Sequence, residues 1–197
     1  MARNGQPAPG FRAGKVRSLF IYLSLEAAVA HNRATLATLF WPQQTEKQAR
    51  QNLRQTLRRL RQALGDEQQA SPCLLITEES IQWNPHSDSW LDVRQFMALT
   101  TAARTHCGPR VPTLCAACLG QLEQAAALYH GELLPGFTPD DSPEFEDWLT
   151  QWRERLHQYA LAALHQLAEH HLAAQEWELA RGYAQRQIEM EPWREEG

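Results

Sequence analysis

Two sets of side chains in this sequence have types and spacings that could do chemistry. The first is His106-Cys107 followed by Cys115-Ala-Ala-Cys118. Thiolate and imidazole are the ligands that zinc prefers, and a Cys-x-x-Cys spacing can place two sulfurs on one ion. His106, Cys107, Cys115 and Cys118 are therefore candidate ligands of a structural zinc ion. The alternative is a set of free or buried thiols beside an exposed histidine.

The second set is a run of arginine and glutamine between residues 45 and 64. Arginine can donate to phosphates and to guanine, whereas glutamine and asparagine suit the major-groove edge of adenine. The alternative is a polar helix face that meets only solvent. With one arginine from the preceding segment, the candidate DNA-binding residues are Arg33, Lys47, Arg50, Gln51, Arg54, Gln55, Arg58 and Arg59.

Charge is distributed unevenly along the 197 residues. Residues 1–65 hold eleven Lys and Arg against two acidic residues, Glu26 and Glu46, whereas the remainder holds eight against twenty-one. The net charge of −4 therefore combines a basic first part with an acidic second part. This division favours a polyanion as the partner of the first part, and arginines on solvated helix faces are the alternative.

A predicted helix over about 45–64 positions the arginines and glutamines. Thr45 followed by Gln48 fits a capping box, and Gly65 stands where a helix C-cap belongs. Four leucines fall within an arc of about 60° at 100° per residue and predict a stripe that faces the core. They are Leu53, Leu57, Leu60 and Leu64.

Two helices are predicted before this one. The spacing of apolar residues indicates the first over residues 14–28. Asn32 is a good N-cap for the second, which stops at Trp41 because the residue before Pro42 disfavours helical backbone. Residues 1–12 contain two Pro and two Gly and are typical of a turn or a short strand.

A hairpin is predicted after the basic helix. Alternating apolar residues over 74–77 and 80–83 indicate two strands joined at Glu78-Glu79. Three helices, the third basic, and then a hairpin are the order of a winged helix-turn-helix, which we assign to residues 1–86. An acidic turn is unsuited to the minor groove, so the wing tip should stay off DNA or contact a protein.

The remaining residues have the apolar spacing of further helices. The last two of these helices have a Trp/Leu/Tyr/Ala pattern that suggests a tetratricopeptide-like hairpin. We therefore predict a mainly α protein, with a winged helix-turn-helix followed by a tetratricopeptide-like domain over 91–197. The helices are expected over about 92–104, 116–130, 143–174 and 176–190.

Several classes of protein are disfavoured. The sequence has no phosphate-binding P-loop, dinucleotide-binding glycine motif, zinc-protease helix motif or nucleophile-elbow motif. Glu144, Glu146 and Asp147 fall at a helix start, where carboxylates complement the helix dipole. An apolar run of membrane-spanning length and a signal peptide are also absent from the sequence, so we expect a cytoplasmic protein that is not an enzyme and has no membrane partner.

Several segments jointly resemble the SARP-like activators of bacteria. Lys15–Leu23, Leu39–Pro42 and Asn52–Leu64 look like their OmpR-type winged helix. Asp92–Phe96, Ala127–Phe137, Phe145–Trp148 and Glu191–Glu196 look like the bacterial transcriptional activator domain that follows it.

The resemblance implies sequence-specific binding to promoter DNA, often at direct repeats, and contact with RNA polymerase. It also implies strands before the first helix and further helices after Glu196, so both ends are expected to be incomplete. In larger relatives an ATPase module and more helical repeats follow. A protein-interaction scaffold that does not bind DNA is the alternative, and the two hypotheses differ in salt dependence and sequence preference.

The final predicted helix suggests self-association. A helical repeat buries its apolar face against the next repeat and needs a polar cap at its end. We expect an apolar surface near Tyr183, Ile188 and Trp193, where a second copy could pair to form a homodimer. The alternative is that Trp193 folds back and caps its own domain.

Overall fold

The computed structural model describes residues 2–3, 6–7, 14–66, 71–108, 113–138 and 141–191. These residues are mainly α-helical, which confirms the predicted fold class. The helices are α1 (Gly14–Leu25), α2 (Arg33–Phe40), α3 (Glu46–Leu64), α4 (Asp92–Cys107), α5 (Ala116–Leu128), α6 (Pro143–Ala173) and α7 (Trp177–Met190). The strands are β1 (Ala2–Arg3), β2 (Gln6–Pro7), β3 (His31–Asn32), β4 (Leu74–Ile76) and β5 (Ser80–Trp83).

Backbone contacts divide the chain into two compact units. The first unit comprises residues 1–89 and 136–149, and the second comprises 90–135 and 150–197. Helix α6 therefore contributes residues to both units. The sequence-based domain limits, which fall at residues 86 and 91, stay predictions.

Helix α1 is anchored in the first unit by its apolar face. Val16, Leu19 and Leu23 are buried, as expected from their helical spacing. The helix ends at Leu25 rather than at the predicted Ala28. Strand β3 begins only six residues later and needs extended backbone, which limits how far the helix can continue.

The ends of α2 and α3 follow from local side chains. The Asn32 side chain accepts a hydrogen bond from the backbone N–H of Ala34, and Thr45 Oγ1 accepts one from Gln48 N–H at 3.4 Å. Gly65 ends α3 with a φ of +66°, a left-handed conformation that glycine adopts without a Cβ clash. The predicted caps at all three positions are confirmed.

A small antiparallel sheet completes the first unit's helical core. Its strand order is β3-β5-β4, with Ile81 of β5 opposite His31 on one side and Ile76 on the other. Ile81 and Trp83 are buried, and the Phe20 and Trp83 rings meet edge to face at 5.4 Å. The hairpin was predicted, but β3 was not, because two residues leave no periodicity in a sequence.

An aromatic cluster joins residues 136–149 to the rest of the first unit. Phe145 lies 5.2 Å from both Phe40 and Trp148, measured between ring centroids. The Tyr22 ring lies 4.8 Å from that of Trp148, whose Nε1 donates to a Glu26 carboxylate oxygen at 2.9 Å. These contacts make the start of α6 part of the first unit's core.

The second unit is built around α4, α5 and most of α6. Its helices share two clusters of buried side chains, and Tyr183 and Met190 of α7 pack against them. Among the described residues, no helix combines the length and apolar character that a membrane span requires. The buried residues of these clusters are Phe96, Ala103, Leu114, Cys118, Leu122, Ala125, Ala126, Leu156, Ala160, Ala163, Leu164 and Leu167.

Two helix ends in the second unit differ from the sequence prediction. Helix α4 continues three residues past the predicted end at Arg104. Its backbone leaves the helix only at Gly108, which has a φ of +83° and whose N–H still donates to the Arg104 carbonyl at 3.0 Å. Helix α5 ends at Leu128, two residues before the predicted end at His130. The longer α4 carries His106 and Cys107 on its last turn.

Helices α6 and α7 are separated by a tight turn. Gln175 adopts a φ of +62°, and the Glu176 N–H donates to the His171 carbonyl at 2.8 Å. The buried His171 ring bonds through Nδ1 to a Glu176 carboxylate oxygen at 2.6 Å and stacks on Tyr183. The predicted break between these helices, near residue 175, is confirmed.

Candidate functional site

Helix α3 is divided into an apolar face and a polar face. All four leucines of the predicted stripe are buried, and Leu60 is fully excluded from solvent. Ala49 and Thr56 lie on the same side and are also buried. The helix contacts both α1 and α2. Its orientation is therefore fixed by packing rather than by its charged residues.

The opposite face of α3 is exposed to solvent. Lysine, arginine and glutamine recur along it at helical spacing, and α3 as a whole carries six basic residues against one acidic residue, Glu46. A dense positive surface of this kind attracts anions over several ångströms. The exposed predicted residues on this surface, called here the basic face, are Lys47, Arg50, Gln51, Arg54, Gln55, Arg58 and Arg59.

Two pairs of side chains on α3 already bond to each other. Arg50 Nη2 lies 2.6 Å from a Glu46 carboxylate oxygen, one helical turn away. Gln48 Nε2 donates to Asn52 Oδ1 at 3.2 Å. Exposed pairs at this spacing stabilise a helix by only about 0.5 kcal/mol, so a stronger ligand can displace them. The Arg54 and Arg58 side chains extend one and two turns beyond Arg50 on the same helix.

Arg33 has a different environment from the other predicted residues. Arg33 is half-buried, and its guanidinium donates to the Thr77 carbonyl at 3.0 Å. Its backbone N–H donates to the Glu79 carbonyl at 2.9 Å. It therefore fastens the start of α2 to the turn of the hairpin. A role of Arg33 in binding a ligand stays a prediction.

The hairpin turn is acidic and well ordered by its own hydrogen bonds. Thr77 Oγ1 accepts from the N–H groups of Ser80 at 2.9 Å and Glu79 at 3.3 Å. Glu78 and Glu79 are both exposed. The turn therefore presents negative charge to solvent, as its sequence indicates.

The predicted cysteine and histidine residues meet in the second unit. The last two residues of α4 provide His106 and Cys107, while Cys115 is the N-cap of α5 and Cys118 lies in its first turn. One ligand atom from each of the four side chains lies within 4.8 Å of the others. The structure thus brings together four residues that are separated by up to twelve positions in the sequence.

The surroundings within this cluster shift the pKa values of two of its thiols, one through hydrogen bonds and the other through burial. A hydrogen bond from the Cys118 side chain, followed by one from the Cys115 backbone, lowers the pKa of Cys107 to about 6. Burial raises the pKa of Cys118 to about 12. The same surroundings therefore favour a thiolate at Cys107 and a neutral thiol at Cys118.

A shallow cleft of about 540 Å³ also lies in the second unit. Polar side chains that line the cleft bond to the protein itself. Arg153 donates to the carbonyls of Leu133 and Leu134, and His157 Nε2 lies 3.2 Å from a Glu191 carboxylate oxygen. These bonds are typical of a structural network that holds a loop.

Sequence reasoning missed two polar residues that shape the two units. The buried Asp66 carboxylate accepts hydrogen bonds from the N–H groups of Cys73 and Leu74, and so holds the start of the hairpin. The buried His171 fixes the turn before α7. Each of the two side chains bonds to a residue on the far side of a connecting segment. No local motif in the sequence predicts such a bond.

A family model described as the bacterial transcriptional activator domain matches residues 91–197, which is more than half of the chain. No curated protein matches the sequence. The matched segment contains the second unit's helices α4, α5 and α7 and the whole of α6. This family consists of transcription regulators and not of enzymes. The chain therefore belongs to the bacterial transcriptional activator domain family.

Proposed function

We propose that this chain is a transcription activator that binds promoter DNA sequence-specifically through α3. The observation that carries the proposal is the basic face of α3, exposed opposite a fully buried leucine stripe. Family membership supplies the activator part of the function. DNA binding and its mechanism are our inference from the residues.

In this proposal the first unit is a winged helix-turn-helix. Helix α2 packs on α3, which supplies the recognition helix, and the β4–β5 hairpin is the wing. A recognition helix lies in the major groove while the helix before it supports it. The elements appear in the required order, and α3 is 19 residues long, with the basic face exposed to solvent.

The side chains of the basic face divide into two classes by their chemistry. Arg54, Arg58 and Arg59 are suited to phosphates or to guanine, and phosphate contacts fix the register of a protein on DNA. Gln51 and Gln55 are suited to the edge of adenine. All five are exposed. We assign sequence preference to the glutamines and to any arginine that reaches a base.

The acidic turn of the hairpin is assigned to a protein partner or to solvent. Glu78 and Glu79 would be repelled by phosphates if the wing tip entered the minor groove. RNA polymerase is the partner that the activator function requires. The same function would place the protein in the cytoplasm.

The second unit is assigned to protein contacts, including a second copy of the chain. Large apolar side chains are exposed on α7 at Trp177, Leu179 and Ile188, and on α6 at Leu172. Tyr183, which the sequence also suggested, is instead half-buried against the second unit's core. Trp193 lies outside the described residues. A tetratricopeptide-like arrangement of these helices stays part of the proposal.

Selection of binding sites from random duplex DNA tests the function directly. We expect the full chain to enrich a defined sequence, and the affinity for it to fall steeply as salt rises, because bound phosphates release counterions. Enrichment of no sequence, together with weak salt dependence, would support the protein scaffold instead.

A matched pair of variants separates a specific DNA contact from general electrostatic attraction. Arg54→Ala removes one charge from the basic face, and Arg181→Ala removes one from an exposed position on α7. Both lower the net charge equally. Only Arg54→Ala should weaken binding to the selected DNA, and equal losses would contradict the assignment of α3 as the recognition helix.

A further inference from the structure

We propose that His106, Cys107, Cys115 and Cys118 bind one zinc ion in a closed, structural site. The proposal does not depend on DNA binding. It rests on the distances among the four side chains, on their chemical types and on their positions in the fold.

The distances match the edges of a zinc tetrahedron. With Zn–S bonds of about 2.3 Å and Zn–N bonds of about 2.0–2.1 Å, two sulfurs lie about 3.8 Å apart and a sulfur and a nitrogen about 3.5 Å apart. His106 Nδ1 lies 3.3 Å from Cys118 Sγ, 3.6 Å from Cys107 Sγ and 3.5 Å from Cys115 Sγ. Cys107 Sγ and Cys115 Sγ are 3.5 Å apart.

The donor set selects zinc from the common metals. Three thiolates and one imidazole form a known structural zinc set, whereas magnesium and calcium require oxygen ligands. The cluster contains no carboxylate. Four protein ligands also fill a tetrahedral shell and leave no position for water or substrate, which makes the site structural.

The fold holds the ligands on rigid elements. Two belong to the last turn of α4 and one to the first turn of α5, while the fourth is the α5 N-cap. Cys115 Sγ also accepts a hydrogen bond from the Cys118 N–H at 3.4 Å, the type of outer contact that orients a metal-bound thiolate. A bound ion would fasten the ends of two helices that pack against each other.

The same sulfurs could instead form a disulfide between Cys107 and Cys115. The two states differ in measurable ways. Zinc adds one metal equivalent and leaves the thiols reduced, whereas a disulfide removes two hydrogens and excludes the metal.

The metal content of the full chain, purified without added metal or chelator, is the first test. We expect about one zinc per chain, and less than about a tenth of an equivalent would overturn the proposal, because structural sites hold zinc tightly. Intact mass under non-reducing conditions checks for the disulfide. A mass lower by two hydrogens in the metal-free chain would assign the cluster to disulfide chemistry.

Variants locate the metal. Cys115→Ser alters an exposed ligand and should lower the zinc content several-fold, while Cys73→Ala, which removes the cysteine outside the cluster, should leave it unchanged. Since a variant can lose metal by unfolding, cobalt(II) is also added to the metal-free wild-type chain. Tetrahedral thiolate–cobalt absorption bands are expected at one equivalent, and octahedral bands alone would contradict the assigned ligand set.

Discussion

Helices α3 and α7 differ in which side chains they bury and which they leave exposed to solvent. Helix α3 buries its whole leucine stripe and leaves a basic, hydrogen-bonding face in solvent. Helix α7 has one buried residue, Ala180, while Ile188 and Trp177 are 60% and 59% exposed. The two exposed surfaces are the reason for the two proposed partners, because a charged surface suits a polyanion and an apolar surface suits another protein.

Removal of one leucine from each helix should give the largest difference. Leu57→Ala is expected to lower the free energy of unfolding by about 2–5 kcal/mol, since Leu57 is buried and its loss leaves a cavity. The matched change on α7, Leu179→Ala, should cost less than about 0.5 kcal/mol because that side chain is half exposed. Urea denaturation measures both, and equal changes would show that the two helices do not differ in packing.

The second prediction concerns the charge on α3. Arg54→Ala and Arg58→Ala should each weaken binding to the selected DNA by about 1–3 kcal/mol and reduce the slope of affinity against salt by about one. Folding should be unaffected because both residues are exposed. Fluorescence anisotropy at several salt concentrations measures the effect. Unchanged affinity in both variants would remove α3 from the proposed interface.

The third prediction concerns how the helices begin. The Thr45 hydroxyl caps α3, whereas α7 begins after Glu176 without a side-chain cap bond. Thr45→Ala should therefore cost about 1 kcal/mol of stability. Thr45→Ser should retain most of it, which separates the cap from other effects of the substitution. Thermal denaturation of the two variants would contradict this account if they lost stability equally.

The smallest expected effect concerns the exposed apolar side chains of α7. Ile188→Lys should change the free energy of unfolding by less than about 0.5 kcal/mol, because Ile188 is mostly exposed. It should nevertheless abolish a concentration-dependent increase in mass at micromolar protein. Sedimentation analysis distinguishes the outcomes. A wild-type chain that stays monomeric would favour self-capping over pairing.

Local signals in the sequence predicted α3 well. Thr45, Gly65 and the leucine stripe act within a few residues of one another, and the structure places the helix ends and its buried face as expected. Strand β3 could not be predicted in the same way, because His31 pairs with Ile81, fifty residues away. The bonds from Arg33 to Thr77 and Glu79 are equally non-local.

The cysteine–histidine cluster could be predicted only in part from the sequence. Cys-x-x-Cys spacing identified Cys115 and Cys118, but His106 and Cys107 depend on where α4 ends. The predicted end at Arg104 placed them in a loop, whereas the helix carries them on its last turn. Residue types therefore predicted the candidate ligands, and the extra turn of helix determines how they approach. Zinc binding itself stays a prediction.

The first unit is formed by two separate segments of the chain, and this affects how it can be exchanged by recombination. Residues 136–149 pack with residues 1–89, and they contribute Phe145 and Trp148 to the aromatic cluster with Tyr22 and Phe40. A single recombination event near residue 90 would transfer the basic helix but leave half of that cluster behind. Exchange of the first unit between relatives should therefore succeed only when both segments are inherited together, so that selection acts on the two segments as one unit.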